Sequence, residues 1–306
     1  MTRFSIIVPF HNDAATIADT LNSLLGQSFA DFELICVGDK PSRQTTEVVR
    51  QFCARDTRVR VEANPNRGPS SARNHGAAVA SGDILAFCDA DDLWVTDKLA
   101  QLDQLFAETG IDATFGQIGF FSETPGDCPT RSTVPTDALT IPDLLAENAV
   151  CTMSNLAVRR QVFAAVGGLN PAAVHNEDLE LLIRLAGEGH VIIGVDRLQV
   201  WYRTSGSGLS SNLEAMRAGR ARAVATAARY GVAPSPASEA IYMRYLARRA
   251  LRLGAEPSMA RAYARAGLAL SARSFLNPIR RGVPTALGAA LAPALPRPIR
   301  QALFAR

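Results

Sequence analysis

Residues 1–212 are expected to form an α/β domain with a mostly parallel central sheet and helices on both faces, and residues 213–306 a helical extension. Three observations predict this. Short β-branched runs alternate with helix-period segments from Phe4 to Cys88, the pattern of strand–helix–strand units joined by right-handed crossovers. The last of these runs ends in a cluster of carboxylates, where open α/β sheets hold their ligands. The charge balance then reverses: residues 213–306 carry 16 basic and 3 acidic residues, net +13, against −10 for the preceding 212. Such a split separates two functional regions.

Phe4-Ser5-Ile6-Ile7-Val8-Pro9 has the form of a central first strand stopped by proline. Ile17, Leu21, Leu24 and Leu25 then mark one face of a helix over Thr16 to Leu25. Phe32 to Val37 gives a second strand ending at Gly38-Asp39, followed by a helix through Thr45 to Cys53 and a strand at Val59-Arg60-Val61. Asn66 to Gly76 is a Gly/Pro/Ser turn leading into a helix that runs to Ala80. On that helix the local spacing favours a surface role for Arg73. Thr124 to Thr140, rich in Pro, Thr and Asp, is a long loop, and Gly167 to Pro171 is a turn. A helix follows over Leu179 to Ala186, with Asp178 at its start where a carboxylate caps free N–H groups. Strands at Val191 to Val195 and Val200 to Arg203 precede a flexible Gly206-Ser207-Gly208.

The stretch with the most chemistry is Cys88-Asp89-Ala90-Asp91-Asp92-Leu93-Trp94. Side chains alternate along extended backbone, so Asp89 and Asp91 share a face while Ala90 turns away. Two oxygen donors on one side suit Mg²⁺ or Mn²⁺ with part of its shell left for phosphate. Spacing alone leaves a solvated loop equally open, with Asp92 or Asp89 capping the next helix. Trp94 and Trp201 are read as packing residues, His175 as a loop histidine, and Glu177 as a structural or hydrogen-bonding acid.

Composition excludes several classes. Hydrophobic residues make up 47% and charged ones 20%, ordinary for a globular chain. The five cysteines are scattered without C-x-x-C spacing, which supports neither a disulfide framework nor a zinc site. The first ten residues lack the features of a secretory signal, so a cytoplasmic location is expected.

Taken in order, these pieces resemble the inverting nucleotide-sugar glycosyltransferases of family 2, over residues 3 to about 212. The matching stretches are Pro9-Phe10-His11-Asn12, Gln27-Ser28-Phe29 with Phe32-Glu33-Leu34, and Gly68 to Asn74. They continue with Gly82-Asp83-Ile84-Leu85, Asp89 to Asp92, Glu177-Asp178 with Arg184, and Tyr202-Arg203. The resemblance implies a GT-A type fold and metal-dependent transfer of a sugar, with inversion, from a nucleotide-diphosphate donor, expected to be UDP-linked. The acceptor it implies is a saccharide or lipid-linked hydroxyl, as in cell-surface polysaccharide or glycolipid synthesis. It assigns Pro9, His11, Asp39 and Arg73 to the donor base, Asp89 to the ribose and metal shell, Asp91 to the metal, Arg203 to the donor and Asp178 to the catalytic base. Three departures stand out: Gly38 replaces the first of two acids common after the second strand, His11 stands where tyrosine is common, and Thr204-Ser205-Gly206 lacks a histidine that many relatives place near the diphosphate.

Rival functions are a nucleotide-sugar-binding or membrane-scaffold protein without turnover, suggested by Gly38 and the missing histidine, and a nucleotidyltransferase. Asp178, far in sequence from the acidic motif, favours glycosyl transfer over both. In the tail, Ala, Leu and Arg alternate with helical spacing, giving about three helices through residue 273. Val283 to Leu295 is apolar but too short to span a bilayer, and arginines flank it. An interfacial contact with anionic lipid on the inner face of the membrane is one expectation, and packing or homodimerisation the other. No base-stacking motif accompanies the arginines, so nucleic acid is not expected as a partner.

Overall fold

The computed structural model describes residues 2–108, 110–204 and 211–304. These fall into two compact units. The first comprises residues up to Leu139 together with Ala149–Thr204, and the second comprises Thr140–Asn148 with the described residues after Thr204. The expected boundary at 212/213 thus lies a few residues after the structural division. Gly206-Ser207-Gly208 lies outside the described residues.

In the first unit the strand–helix alternation folds as the sequence implies, through β1 (Phe4–Phe10), α1 (Ile17–Leu25), β2 (Phe32–Gly38), α2 (Arg43–Arg55), β3 (Val59–Ala63), α3 (Pro69–Val79) and β4 (Ile84–Phe87). Strands β3, β2, β1 and β4 lie side by side in that order and are all parallel. Alternation splits their side chains between two faces. Phe4, Ile6 and Val8 pack with Ile17, Leu21 and Leu24 of α1 and with Val49 and Phe52 of α2. Ile7 and Val37 face α3, which approaches so closely that a Cβ on Gly76 would lie 2.6 Å from the Ile7 side chain. Helices therefore cover both faces.

The remainder of the sheet is mixed. After β4 come β5 (Leu93–Trp94), α4 (Lys98–Ala107), β6 (Ala113–Phe121), the 3-10 turn Met153–Asn155, β7 (Ala157–Arg159), α6 (Arg160–Ala165), α7 (Glu177–Gly187) and β8 (Ile192–Arg203). The full order is β3-β2-β1-β4-β7-β6-β8-β5. Strand β7 is antiparallel to both β4 and β6, β8 is parallel to β6, and β5 is antiparallel to β8.

Three differences from the sequence expectation have local causes. No helix follows Asp92 directly, because Leu93 and Trp94 pair with Trp201 and Val200 before α4 begins. Strand β6 contains Gly116 and Gly119, whose missing side chains make room for Gln199 and Trp201 across the ladder. The two short strands expected near 191–203 are one strand, with a register shift opposite Gln117 that carries the chain past the polar Asp196 and Arg197.

The second unit is helical: α5 (Ile141–Ala146), α8 (Leu213–Arg229), α9 (Pro236–Leu253), α10 (Pro257–Leu276), α11 (Ile279–Leu291) and α12 (Arg297–Phe304). Caps delimit these helices. Asn212 and Ser235 accept backbone N–H groups of the first turns of α8 and α9, and Gly254 ends α9 in the left-handed conformation. The core combines Leu246, Ala247, Ala250 and Leu251 of α9 with Ala260, Ala264 and Phe275 of α10 and Ala289 of α11. Glu147, just after α5, pairs with Arg281 at 3.0 Å.

Candidate active site

The acidic motif leaves β4 at the carboxyl end of the parallel strands and is held from beneath by one residue, Ser154, in the 3-10 turn. Ser154 Oγ accepts the Asp89 N–H at 2.9 Å and donates to Asp92 Oδ2 at 2.5 Å. Its carbonyl accepts from Trp94 Nε1 at 3.1 Å and from Lys98 Nζ at 2.8 Å, and that ammonium lies 3.9 Å from the Trp94 ring centroid. The Arg203 N–H completes the bonding of Asp92, on Oδ1 at 3.0 Å. Asp92 and Lys98 are both fully buried. Burial, with Asp91 and Asp89 nearby, pushes the Asp92 carboxyl well up. Burial pulls Lys98 down to about 7 against the opposing charges of Cys88 and Asp92. Asp92 is thus an internal acid that fixes the loop, and Trp94 packs as the sequence suggests.

Asp89 and Asp91 have different surroundings. Asp89 Oδ1 lies 2.5 Å from Arg73 Nη2, and Oδ2 accepts from Thr152 Oγ1 at 3.3 Å. Asp91 is pushed up to about 6 by burial and by the charges of Asp89 and Asp13, with Arg203 opposing. A crowded carboxylate of this kind is what a bound cation relieves. Among the described residues no three His, Cys, Asp or Glu side chains converge as a complete ligand set. The residues present therefore fit a hard cation that takes Asp91, with Asp89 beside it, and draws the rest of its shell from phosphate and water; they do not fit an all-protein cage. Arg203 donates from Nε to the Asp91 carbonyl at 3.0 Å, while its guanidinium lies 4.5 Å from the Phe121 ring centroid and 3.7 Å from Asp19 Oδ2.

Pro9, His11 and Asp39 come together at the ends of β1 and β2. Pro9 pairs with Val37 in the ladder. His11 accepts nothing at Nδ1: that nitrogen donates to the Asp39 carbonyl at 2.5 Å, while its backbone N–H donates to Asp13 Oδ2 at 2.7 Å. The Asp39 carboxylate accepts from the Gly68 N–H at 2.8 Å and from Asn64 Nδ2 at 3.2 Å, pinning the loop ahead of α3. Gly68 sits there at φ +89°, a conformation that favours glycine.

Arg73 corrects the local expectation. It is buried at 4% exposure, where a surface arginine was favoured. The guanidinium joins Asp89 to Glu177, with Nη1 3.1 Å from Glu177 Oε1. The bridge brings the start of α7 beside the acidic motif, although Arg73 and Glu177 are 104 positions apart. Glu177 is pushed up to about 7 by burial; Arg73 opposes the rise and Asp178 adds to it. Asp178 is buried in the first turn of α7, where its Oδ1 accepts the Leu179 N–H at 2.8 Å. The helix end favours negative charge there. Asn176, at φ +56°, takes the cap position in place of Asp178. Arg184 anchors the same helix, pairing with Glu180 at 2.8 Å and donating to the Gly168 carbonyl at 2.6 Å.

Sequence reasoning missed Ser154, Thr152 and Asp13. For the first two a signal existed: Thr152, Ser154 and Asn155 are polar residues directly before the apolar Leu156-Ala157-Val158, and all three are buried. Polar groups buried in a row require internal partners.

Residues 5–167 match the family described as Glycosyl transferase family 2. A relative in Escherichia coli, named UDP-Glc:alpha-D-GlcNAc-diphosphoundecaprenol beta-1,3-glucosyltransferase WfgD, is 28% identical over 213 residues, covering 68% of this chain and 79% of that protein. For four other relatives, glycosyltransferases from Rickettsia bellii, Haemophilus influenzae and Nostoc, the chain covers only 14%, 48%, 62% and 54% of their length. Among solved structures, S. aureus TarS 1-349 in complex with UDP-GlcNAc superposes with a TM-score of 0.61 at 17% identity, over 99% of this chain and 90% of that one. The mannosyltransferase PcManGT from Pyrobaculum calidifontis, in complex with GDP-Man and Mn2+, gives 0.61 at 21% identity, over 99% and 84%. At these identities the likeness establishes a shared fold.

Proposed function

Because the chain belongs to glycosyl transferase family 2, we propose that it transfers a sugar from a nucleotide-diphosphate donor, UDP-linked, to an acceptor hydroxyl with inversion at the anomeric carbon. The observation that carries this reading is the Arg73 bridge, which ties the acid-bearing end of β4 to the helix start that presents Asp178. Transfer needs a stabilised leaving diphosphate and an acceptor hydroxyl that loses its proton, on opposite sides of the reacting carbon. Pro9, His11, Asp39 and Arg73 hold the base end of the donor, and Arg203 and Asp89 flank its ribose and phosphates. Asp91, with Asp89, would hold Mg²⁺ or Mn²⁺, which when bound supplies positive charge to the departing diphosphate. Asp178 takes the acceptor proton.

The acceptor class follows from the relative named for a diphosphoundecaprenol-linked substrate: a saccharide or lipid-linked saccharide of cell-surface polymer synthesis. Homodimerisation and a place on the cytoplasmic face are proposed beside it. The test is a screen of nucleotide sugars for metal-dependent release of nucleoside diphosphate, with and without saccharide acceptors. Release from one donor that rises with an acceptor supports the reading, and the NMR spectrum of the product from an α-linked donor should show a β linkage. No release from any donor, or a retained α linkage, overturns it.

Asp91→Ala separates the metal role from a structural one. Calorimetry should show donor affinity in the presence of Mn²⁺ falling at least about tenfold, the scale on which even outer-shell partners of a metal act. An affinity that keeps its full dependence on Mn²⁺ in the variant would remove Asp91 from the ion.

A further inference from the structure

The end of the helical unit buries charge and exposes hydrocarbon. In α12, Arg300 is 5% exposed and donates to the Ala255 carbonyl at 2.8 Å, and Phe304 packs beside Gly288. The outward positions of the same helix are Ile299 and Leu303, one turn apart, at 48% and 63% exposure. Helix α11 repeats the pattern. Gly282, Thr285, Gly288 and Ala289 face inward. Arg280, Pro284, Leu287 and Leu291, spaced four, three and four apart, form the exposed stripe. Leu287 and Leu291 are 58% and 55% exposed, and Ile279 at the helix start is 72% exposed. Scattered exposed leucines need no explanation, but stripes on two successive helices, with an arginine turned inward beneath one of them, do.

The charge around the stripes selects the occupant. Residues 257–306 contain eight arginines and no Asp or Glu. Arg280 and Arg297 are exposed beside the apolar residues. Between α10 and α11 a concavity with an apolar floor of Leu268, Ala286 and Ala289 is edged by Arg261 and Arg265. A second copy seated on this face would oppose one acid-free cationic surface with another. A bilayer containing anionic lipid supplies both missing complements, hydrocarbon for the stripes and negative headgroups for the arginines. Among the described residues no helix is long and apolar enough to cross a membrane, so the helices would lie along the surface.

We propose that α11 and α12 form a docking surface for an anionic phospholipid bilayer, with Ile279, Leu287, Leu291, Ile299 and Leu303 entering the interface and Arg261 and Arg265 meeting headgroup phosphate. The proposal goes beyond the transferase reading, and it bears on how an enzyme of this class would reach a lipid-linked acceptor. The experiment is flotation of the full chain with vesicles of phosphatidylglycerol and phosphatidylcholine, against phosphatidylcholine alone. The wild type should float with the anionic vesicles and remain below with the neutral ones.

L287E/L291E and I299E/L303E should each lower the bound fraction at least about tenfold, since each takes two apolar side chains out of the interface. Both should unfold at the wild-type temperature, because the substituted residues face solvent. R261Q/R265Q, which leaves the apolar stripes intact, should weaken the preference for anionic lipid. Wild type that ignores both vesicles, variants that float like wild type, or a dimer that dissociates in these variants without any vesicle binding would overturn the proposal. Vesicle binding by a chain that releases no nucleoside diphosphate would count against the transferase reading and leave this one standing.

Discussion

Asp178→Asn is expected to lower turnover by about 10²–10⁴ while leaving donor affinity close to wild type, the range by which a positioned general base contributes. The substitution keeps the size and one acceptor oxygen of the side chain. An amide oxygen can still accept the Leu179 N–H that Asp178 accepts now, so the first turn of α7 should persist. What disappears is the capacity to take a proton. The donor sites on β1, β2 and the acidic loop are untouched, so binding and chemistry should separate: unchanged donor affinity by calorimetry, collapsed turnover in the transfer assay. Turnover above about a third of wild type would remove Asp178 from the role of base. Glu177→Gln is the control on the neighbouring acid. If Glu177→Gln lost turnover by about 10²–10⁴ while Asp178→Asn stayed active, the base would be Glu177, whose carboxyl burial already pushes up to about 7.

The first half of the sheet was legible because its strands are uninterrupted. Phe4 to Val8 and Phe32 to Val37 are apolar at every position but Ser5 and Glu33, and a parallel strand buried on both faces has to look nearly that way. Strand β6 was invisible for the opposite reason, since Gly116 and Gly119 weaken every local strand signal and make sense only beside Gln199 and Trp201 on β8. Helix α5 went unread, because its partners in the helical unit lie far along the chain. The site divides in the same way. Asp89, Asp91 and Asp39 stand at strand ends, where a sequence pattern carries positional meaning. Arg73 was misjudged because local spacing scores a helix arginine as solvated, while its two partners come from positions 16 and 104 residues onward. Ser154 makes four contacts that hold the acidic loop, and the polar run before Leu156 hinted at its burial without naming the partners.

Removing that buried arginine should have the largest effect on stability. In Arg73→Met, Asp89 and Glu177 lose the one guanidinium they share, and a buried pair broken from one side costs roughly 3–5 kcal/mol. The loss should depend on pH, with a sign that follows from Glu177. Burial raises its pKa from 4.5 to about 7 in the folded chain, so between those values the folded state holds more protons than the unfolded one. Stability therefore declines as pH rises through that window. Arg73 is the group that limits the rise. Without it the Glu177 carboxyl goes higher still, the decline extends past neutrality, and denaturant unfolding should show a larger deficit at about pH 8 than at about pH 5. The double variant R73M/E177Q should recover part of the deficit at the higher pH, because the buried acid that lacked a counter-charge is gone. Equal losses at both pH values, with no recovery in the double variant, would mean that Arg73 acts through packing alone. In that case the bridge could not be what positions α7, and turnover of R73M measured where the chain is folded should then stay near wild type instead of falling with the misplaced Asp178.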